Sequence, residues 1–320
     1  MSAPTTLTYG PGNVDESLTL AWTNLMPGVL DNVFNENTAL GILYKYFKKT
    51  MQGGVSLSHA IRYAASTSGG SYSRYSQMDV TPQDGLTRDQ WNWKQYYWTV
   101  AIDGFTERVA GKGEWAIENA LEEKKSEAED ALRNDLEGDI FAASPGASDI
   151  RSLPVIVLAS GTEGQVNGST NSWWQSSVVT AGSWAAGVGR QKLVNMLNTV
   201  SKRNPVGMPS YLCSDQTSIE AYENTIVSQY RYSNGTPDVG AMKLTFKEIP
   251  WVFSVNGTSG IIYALHPKAI EFVVNKDTDF IFTGFVKPAN QDAKVGQILL
   301  ACSLQTGVRR KLGKTTANVA

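Results

Sequence analysis

The sequence predicts an α+β chain of about two structural units, and three observations carry that expectation. Between Glu114 and Phe141 there is no proline and one glycine, Gly138, while Ile117, Leu121, Ala128, Leu132, Leu136 and Ile140 recur at threes, fours or their multiples, the spacing of one helix face. Residues 55–65 alternate, with Val55, Leu57, Ile61 and Tyr63 on one side and Ser56, Ser58, Ala60 and Arg62 on the other, the period of a half-buried strand. From Leu153 onward, short apolar runs are separated by turns, with Asn-Gly signals at Asn167-Gly168, Asn234-Gly235 and Asn256-Gly257. A length of 320 residues exceeds one ordinary core, and 42% hydrophobic with 18% charged residues suffices for a large buried interior and excludes a disordered chain.

Taken in order, residues 1–50 mix polar turns at Tyr9–Asn13 with one apolar stretch, Leu40–Phe47, that ends in Lys48 and Lys49, and they read as an arm. The strand over 55–65 leads into Ser66–Gln77, which has no aliphatic side chain. After Pro82-Gln83-Asp84-Gly85 a second strand follows over Gln90–Ile102. Together these predict a long hairpin with a polar tip. A two-stranded hairpin is marginal in water, so a projecting one must lie on something else. Its aromatic group, Trp91, Trp93, Tyr96, Tyr97 and Trp98, is expected to pack where the hairpin enters the body rather than to stack on bases or sugars.

The helix over 114–141 carries ten acidic residues against Lys124, Lys125 and Arg133, a net of −7 that leaves +5 for the rest of a chain whose total is −2. A solvated face with i,i+4 pairs such as Glu129 and Arg133 is the simplest account. Beyond it, Trp184–Lys202 places Leu193, Leu197 and Val200 on one helical stripe. Tyr211–Cys213 reads as a short strand, and Ser214 or Asp215 can cap a helix over Thr217–Val227. Trp251–Leu265 reads as a hairpin around Asn256-Gly257, and Ile270–Val286 and Ile298–Leu304 as long strands before a basic tail holding Arg309, Arg310, Lys311 and Lys314.

Motifs for chemistry fail on inspection. Gly313-Lys314-Thr315 has the ending of a phosphate-binding loop, but the first glycine it needs should stand at 308, which is Val308, and only five residues follow Thr315. Gly111-Lys112-Gly113 and Gly187-Val188-Gly189 lack the third glycine of a dinucleotide fingerprint. His59 and His266 are far apart, and Cys213 and Cys302 make neither a disulfide framework nor a cysteine-only zinc site. No cofactor, metal or catalytic residue is expected. The start of the chain has no apolar leader and no stretch is long enough to span a membrane, so a soluble protein in a reducing compartment is expected. The net charge supplies no field toward nucleic acid.

Several segments, taken together and in order, resemble the major capsid proteins of tailed bacteriophages. Met78-Asp79-Val80-Thr81-Pro82-Gln83-Asp84 followed by Trp91-Asn92-Trp93-Lys94-Gln95 is similar to that family's returning hairpin strand. Ile102-Asp103-Gly104-Phe105-Thr106-Glu107-Arg108 is similar to the approach to its long helix. Gly168-Ser169-Thr170-Asn171-Ser172-Trp173-Trp174, Ser218-Ile219-Glu220-Ala221-Tyr222-Glu223, Phe285-Val286-Lys287-Pro288-Ala289-Asn290-Gln291-Asp292-Ala293-Lys294-Val295 and Gln297-Ile298-Leu299 follow in register with it. The likeness covers about residues 50–315. It departs at the first fifty residues and at Cys302-Ser303-Leu304-Gln305-Thr306, where a more polar strand end is usual.

The resemblance implies the Hong Kong 97-like capsid fold: an N-terminal arm over 1–50, an extended E-loop hairpin over 51–104, a P domain over 105–181 with the spine helix 114–141, an A domain over 182–268, and return strands with a C-terminal tail over 269–320. It implies a non-enzymatic protein that assembles with itself into hexamers and pentamers of an icosahedral head around double-stranded DNA, without base readout. The alternative is an encapsulin-type compartment. The location implied is the virion, with assembly in the host bacterial cytoplasm. A scaffolding protein or protease, a portal and a decoration protein are the implied partners, and no membrane is. Expected inter-subunit contacts are Ser71, Tyr72, Arg74 and Tyr75 at the hairpin tip. The expected charge contacts are Glu118, Glu122 and Glu129 on the helix with Lys48, Lys49, Arg309 and Arg310.

Overall fold

The computed structural model describes residues 38–104, 114–180, 184, 187–202, 207–230, 245–289 and 291–316, and of 38, 114–123, 225–230 and 316 the backbone only. In chain order, the first part holds helix α1 (Thr38–Ile42), a π-turn over Leu43–Phe47, and strands β1 (Lys48–Met51), β2 (Ser56–Leu57), β3 (Ala60–Arg62), β4 (Leu86–Arg88), β5 (Trp91–Asn92) and β6 (Lys94–Asp103). Next come α2 (Glu114–Phe141), α3 (Leu153–Ile156), β7 (Thr162–Glu163), β8 (Val166–Asn167), β9 (Ser177–Thr180), α4 (Val188–Lys202), β10 (Tyr211–Ser214) and α5 (Gln216–Tyr230). The chain closes with β11 (Thr245–Phe246), β12 (Ile249–Phe253), β13 (Ile262–Leu265), β14 (Ile270–Asn275), β15 (Ile281–Phe282), β16 (Ala293–Thr306) and β17 (Gly313–Thr316). The mixture is α+β, as the periodicities predict.

Two compact units divide these residues. The first takes the described part of Tyr96–Leu132 and Phe280–Leu299. Here β15 pairs with β16 through Ile281↔Leu299 and Phe282↔Ile298. Phe282 packs edge-on against Phe285 at 5.0 Å and lies over Gly296, where a Cβ would come within 2.4 Å of its ring. The Lys125 ammonium sits 5.6 Å from the same ring centroid, a cation–π contact.

The second unit takes the described part of Asn35–Gln95, Arg133–Asp279 and Leu300–Ala320. Its larger sheet runs β11-β12-β10-β13-β17-β9. The apolar stripe of α4, Leu193, Met196, Leu197 and Val200, is buried with Leu212, Tyr222, Trp251, Ile262 and Trp184. A stripe recurring at threes and fours needs one flat apolar surface, which this sheet face provides. Asp215 holds the start of α5 as expected, its carboxylate accepting from the hydroxyls of Thr217 and Ser218 and, at 3.2 Å, from Gly260 N–H. The other strands, β1 parallel to β14 and β14 antiparallel to the last residues of β16, pair through Lys49↔Val273 and Val273↔Ser303. Ile270–Val274 is buried at every residue, the signature of a strand covered on both faces.

Four expectations are corrected. The hairpin is two short ladders, β2 with β5 and β3 with β4, because the Asp89 side chain bonds His59 between them; β6 leaves it to pair with β16. Val55, placed on the inward face by alternation, is 97% exposed, since Gly53 and Gly54 at φ +71 and +93 turn the chain before the ladder begins. Within the aromatic group Trp91 and Tyr96 are buried, whereas Tyr97 and Trp98 are exposed. Trp251–Leu265 is not a hairpin: β10 lies between β12 and β13, parallel to one and antiparallel to the other. The intervening turn is held over the start of α5 by Gly260 and Asp215.

The expected arm and tail also change character. Leu40, Leu43 and Phe47 are buried, so the apolar stretch packs onto the second unit; residues 1–37 lie outside the described residues. The basic tail is a 3-10 turn over Arg309–Lys311 followed by strand β17, which holds Lys314 and lies between β13 and β9. The turn of the short hairpin β7-β8 falls on Gly164-Gln165, both at positive φ (57 and 65), rather than on Asn167-Gly168. Asn167 instead accepts from Ser169 N–H at 2.8 Å in the turn that follows. Asn234-Gly235 lies outside the described residues.

Candidate assembly surface and the charged root of the hairpin

The hairpin tip is built from local polar bonds. Tyr63 N–H donates to Gly85 O at 3.0 Å, and Ser76 N–H to Ser73 O at 3.0 Å. The Thr67 hydroxyl reaches Gln83 Oε1 at 2.8 Å, and Asp79 accepts from the backbone and hydroxyl of Thr81. All four tip residues expected to make contacts, Ser71, Tyr72, Arg74 and Tyr75, are exposed. Tyr75 is 93% accessible and Val80 88%, with Tyr72, Met78 and Leu86 also open. Four large apolar side chains on the loop, with Leu86 at the start of β4 beside it, form a surface that a monomer gains nothing by exposing.

At the base of that loop the side chains are buried and charged. Leu57, Ile61 and Trp91 pack with Trp174 and Val273, and the Asp89 carboxylate, fully buried, accepts from the Trp91 indole at 2.8 Å and from His59 Nδ1 at 2.9 Å. His59 Nε2 lies 3.2 Å from Glu271 Oε2, and Lys49 pairs with the other oxygen of Glu271. The hydrogen bonds to Asp89, then those to Glu271, raise the His59 pKa from 6.5 to about 9, against the effect of burial. Burial works to raise Glu271, but His59 and Lys49 outweigh it and hold its carboxyl at about 2. His59 has the parity of the inward residues Leu57 and Ile61, so a polar side chain in an apolar alternation was the signal available in the sequence.

The charge candidates are dispersed. Lys48 pairs with Asp279 and Lys49 with Glu271 inside the chain. Glu129 has Lys125 at 3.9 Å, one turn earlier in the same helix. The side chains of Glu118 and Glu122 lie outside the described residues. Arg309 is the correction: it is fully buried, and its guanidinium donates to the carbonyls of Ile156, Ser160, Val155 and Gly161. A planar fork of donors suits a cluster of orphan carbonyls at a tight chain reversal. Lys311 and Lys314 are buried too, leaving Arg310 as the exposed member of the basic group.

One acid of the long helix turns inward. Glu137 accepts from Leu40 N–H at 3.2 Å and from the Ser254 hydroxyl, and burial raises its pKa. It neighbours Leu136 and precedes Ile140 by one turn, so it belongs to the buried stripe. A groove of about 430 Å³ at the hairpin root is lined by Trp91, Lys94, Asp149, Arg151 and Glu163. Arg151 Nε lies 3.3 Å from Glu163, an in-chain ion pair. Among the described residues no group of three or more His, Cys, Asp or Glu side chains is placed to hold a metal ion, and no helix is long and apolar enough to cross a membrane.

No protein-family model matches the sequence, and no curated protein matches it. Solved structures do. The chain is similar to the cyanophage A-1(L) capsid asymmetric unit at a TM-score of 0.68 and 13% identity, over 96% of this chain and 99% of that one. The capsid of a native GTA particle matches at 0.65 and 7% identity over 97% and 100%. The holo-SrpI encapsulin complex from Synechococcus elongatus matches at 0.55 and 9% identity over 94% of each chain. The architecture is therefore one shared with these capsid and encapsulin chains. In particular, it is the Hong Kong 97-like capsid fold found in phage heads.

Proposed function

We propose that the chain is a major capsid protein that assembles with itself, through hexamers and pentamers, into an icosahedral phage head around double-stranded DNA. The observation that carries this reading is two-way coverage: phage and GTA capsid chains are matched over nearly their whole length by nearly the whole of this one. A shell built of one chain needs surfaces that are complementary between copies and closed by symmetry, and the exposed apolar loop tip around Tyr72 and Tyr75 suits one. The division into arm (1–50), E-loop (51–104), P domain (105–181), A domain (182–268) and return strands with tail (269–320) is part of the same proposal. So are the tip contacts Ser71, Tyr72, Arg74 and Tyr75, and the charge contacts Glu118, Glu122, Glu129, Lys48, Lys49 and Arg310. Scaffold or protease, portal and decoration proteins are the partners it calls for, and a virion location follows from it, with assembly in the host cytoplasm.

The encapsulin reading is the second one, favoured by the SrpI likeness, although its TM-score of 0.55 is below the 0.68 of the cyanophage capsid. Negative-stain microscopy of the purified protein tests the shared element. Closed shells are expected, and discrete monomers at every protein concentration and ionic strength would overturn it. Shells purified from infected cells are expected to contain nucleic acid, whereas a packaged enzyme would select the second reading.

A further inference from the structure

At the hairpin root one imidazole stands between two carboxylates, and that constrains its protons. A carboxylate only accepts hydrogen bonds. His59 Nδ1 is 2.9 Å from Asp89 Oδ2 and Nε2 is 3.2 Å from Glu271 Oε2, so serving both requires a proton on each ring nitrogen. The charged groups facing the ring are Asp89, from the link between β4 and β5, and Glu271 from β14, itself bonded by Lys49 from β1. From β16 comes the neutral amide of Gln305, its Nε2 3.3 Å from His59 Nε2, and beyond that strand the backbone at Gly307 approaches the ring. With His59 protonated, two carboxylates face two cations.

Removing the ring proton leaves the fully buried Asp89 in a cluster with one uncompensated negative charge, and turns a bare nitrogen lone pair toward Glu271. That lone pair has another partner, because the Gln305 amide N–H can donate to it. The ring thus has two hydrogen-bonded arrangements, one tied to Glu271 of β14 and the other to Gln305 of β16.

We propose that His59 is a protonation latch: as an imidazolium it clamps the hairpin root to β14, and its deprotonation releases Glu271 and loosens the root together with the tip it carries. The raised pKa, about 9 against 6.5, agrees in direction. A base raised in the folded state contributes protection that is full below about 6.5, declines roughly tenfold per pH unit between about 6.5 and 9, and is gone above. The latch is closed at neutral pH and opens on the alkaline side. It is a property of the single chain and holds whether or not the chain assembles.

The test uses the full chain with ¹⁵N-labelled histidine, of which there are two; the resonances missing in His59→Gln assign His59. Both ring nitrogens are expected to be protonated at pH 7, with a midpoint near 9 that moves toward 6.5 in Glu271→Gln. A midpoint at or below 6.5, or a single ring proton at pH 7, overturns the proposal, and if His59→Gln does not fold, the resonances that persist in His266→Gln assign His59 instead. Hydrogen exchange corrected for intrinsic rates provides the second readout. Amides 57–62 and 86–91 are expected to lose protection from pH 7 to 10 in the wild type and to be unresponsive in His59→Gln, whereas pH-independent protection in the wild type overturns it.

Discussion

Arg309 Nε donates to the backbone carbonyl of Ile156 at 2.7 Å, joining the segment before the last strand to a reversal more than 150 residues earlier. The remaining guanidinium donors reach Ser160 O at 3.0 Å, Val155 O at 3.3 Å and Gly161 O at 3.4 Å. Arg309→Ala orphans several buried carbonyls at once and is expected to cost about 3 kcal/mol or more. Arg309→Lys recovers little, because an ammonium is a point donor rather than a fork. Arg310→Ala, at an exposed neighbour, is expected to stay within about 0.5 kcal/mol. Equal losses at the two positions in denaturant melts would show that the buried fork is not what holds the reversal.

Gly313 lies where β17 passes beneath α4, and a Cβ there would approach Val200 Cγ2 at 2.9 Å and Met196 Cγ at 3.0 Å. Gly313→Ala is expected to destabilise by about 1–3 kcal/mol through overpacking. Combining it with Val200→Ala should give a double mutant less destabilised than the sum of the two single changes. Strict additivity in thermal melts would mean the strand shifts instead of clashing.

Glu137 must ionise in a buried site above its raised pKa, so as pH climbs from the unfolded value of 4.5 the folded state loses stability relative to the unfolded one. Glu137→Gln keeps an acceptor for Leu40 N–H and can donate to Ser254. It is expected to stay within about 1 kcal/mol of wild type, with the difference moving in favour of glutamine from pH 4.5 to 8. Glu137→Leu abandons both donors and should cost about 2 kcal/mol. A wild type that gains on the glutamine variant as pH rises would reverse the sign and refute the assignment.

The tip between Tyr63 and Gly85 rests on its own hydrogen bonds. Deleting Ser68–Ser76 is expected to leave the subunit's melting transition within about 0.5 kcal/mol while abolishing stable shells in the microscope. Normal shells from the deletion would remove the tip from the assembly surface.

With Arg309, Lys311 and Lys314 buried, the basic group near the end of the chain offers little to DNA. Each phosphate contact contributes about one unit to the salt slope, so the unassembled subunit is expected to show weak, sequence-independent binding with a shallow salt dependence. Submicromolar retention of a random duplex at physiological salt, or preference for one sequence, would mark a DNA-binding protein rather than a container.

Local pattern alone determined the elements whose stability is local or one-sided: α2 from Glu114 to Phe141, the α4 stripe at Leu193, Leu197 and Val200, a helix start after Ser214 and Asp215, and a polar loop without aliphatic side chains at its tip. In the two helices the period of the apolar residues names the face that must be covered. The order of resembling segments supplied the fold, which the architecture bears out. Sequence could not settle where long-range partners lie. Whether Arg309 is a tail charge or a buried fork depends on carbonyls from Val155 to Gly161, and whether Trp251–Leu265 closes on itself depends on β10 coming between its halves. His59 acquires its charge only when Asp89 and Glu271, 30 and 212 residues away, are brought to its two nitrogens. Burial and pairing energies are set by neighbours in space, and a one-dimensional period carries no information about which distant strand supplies them.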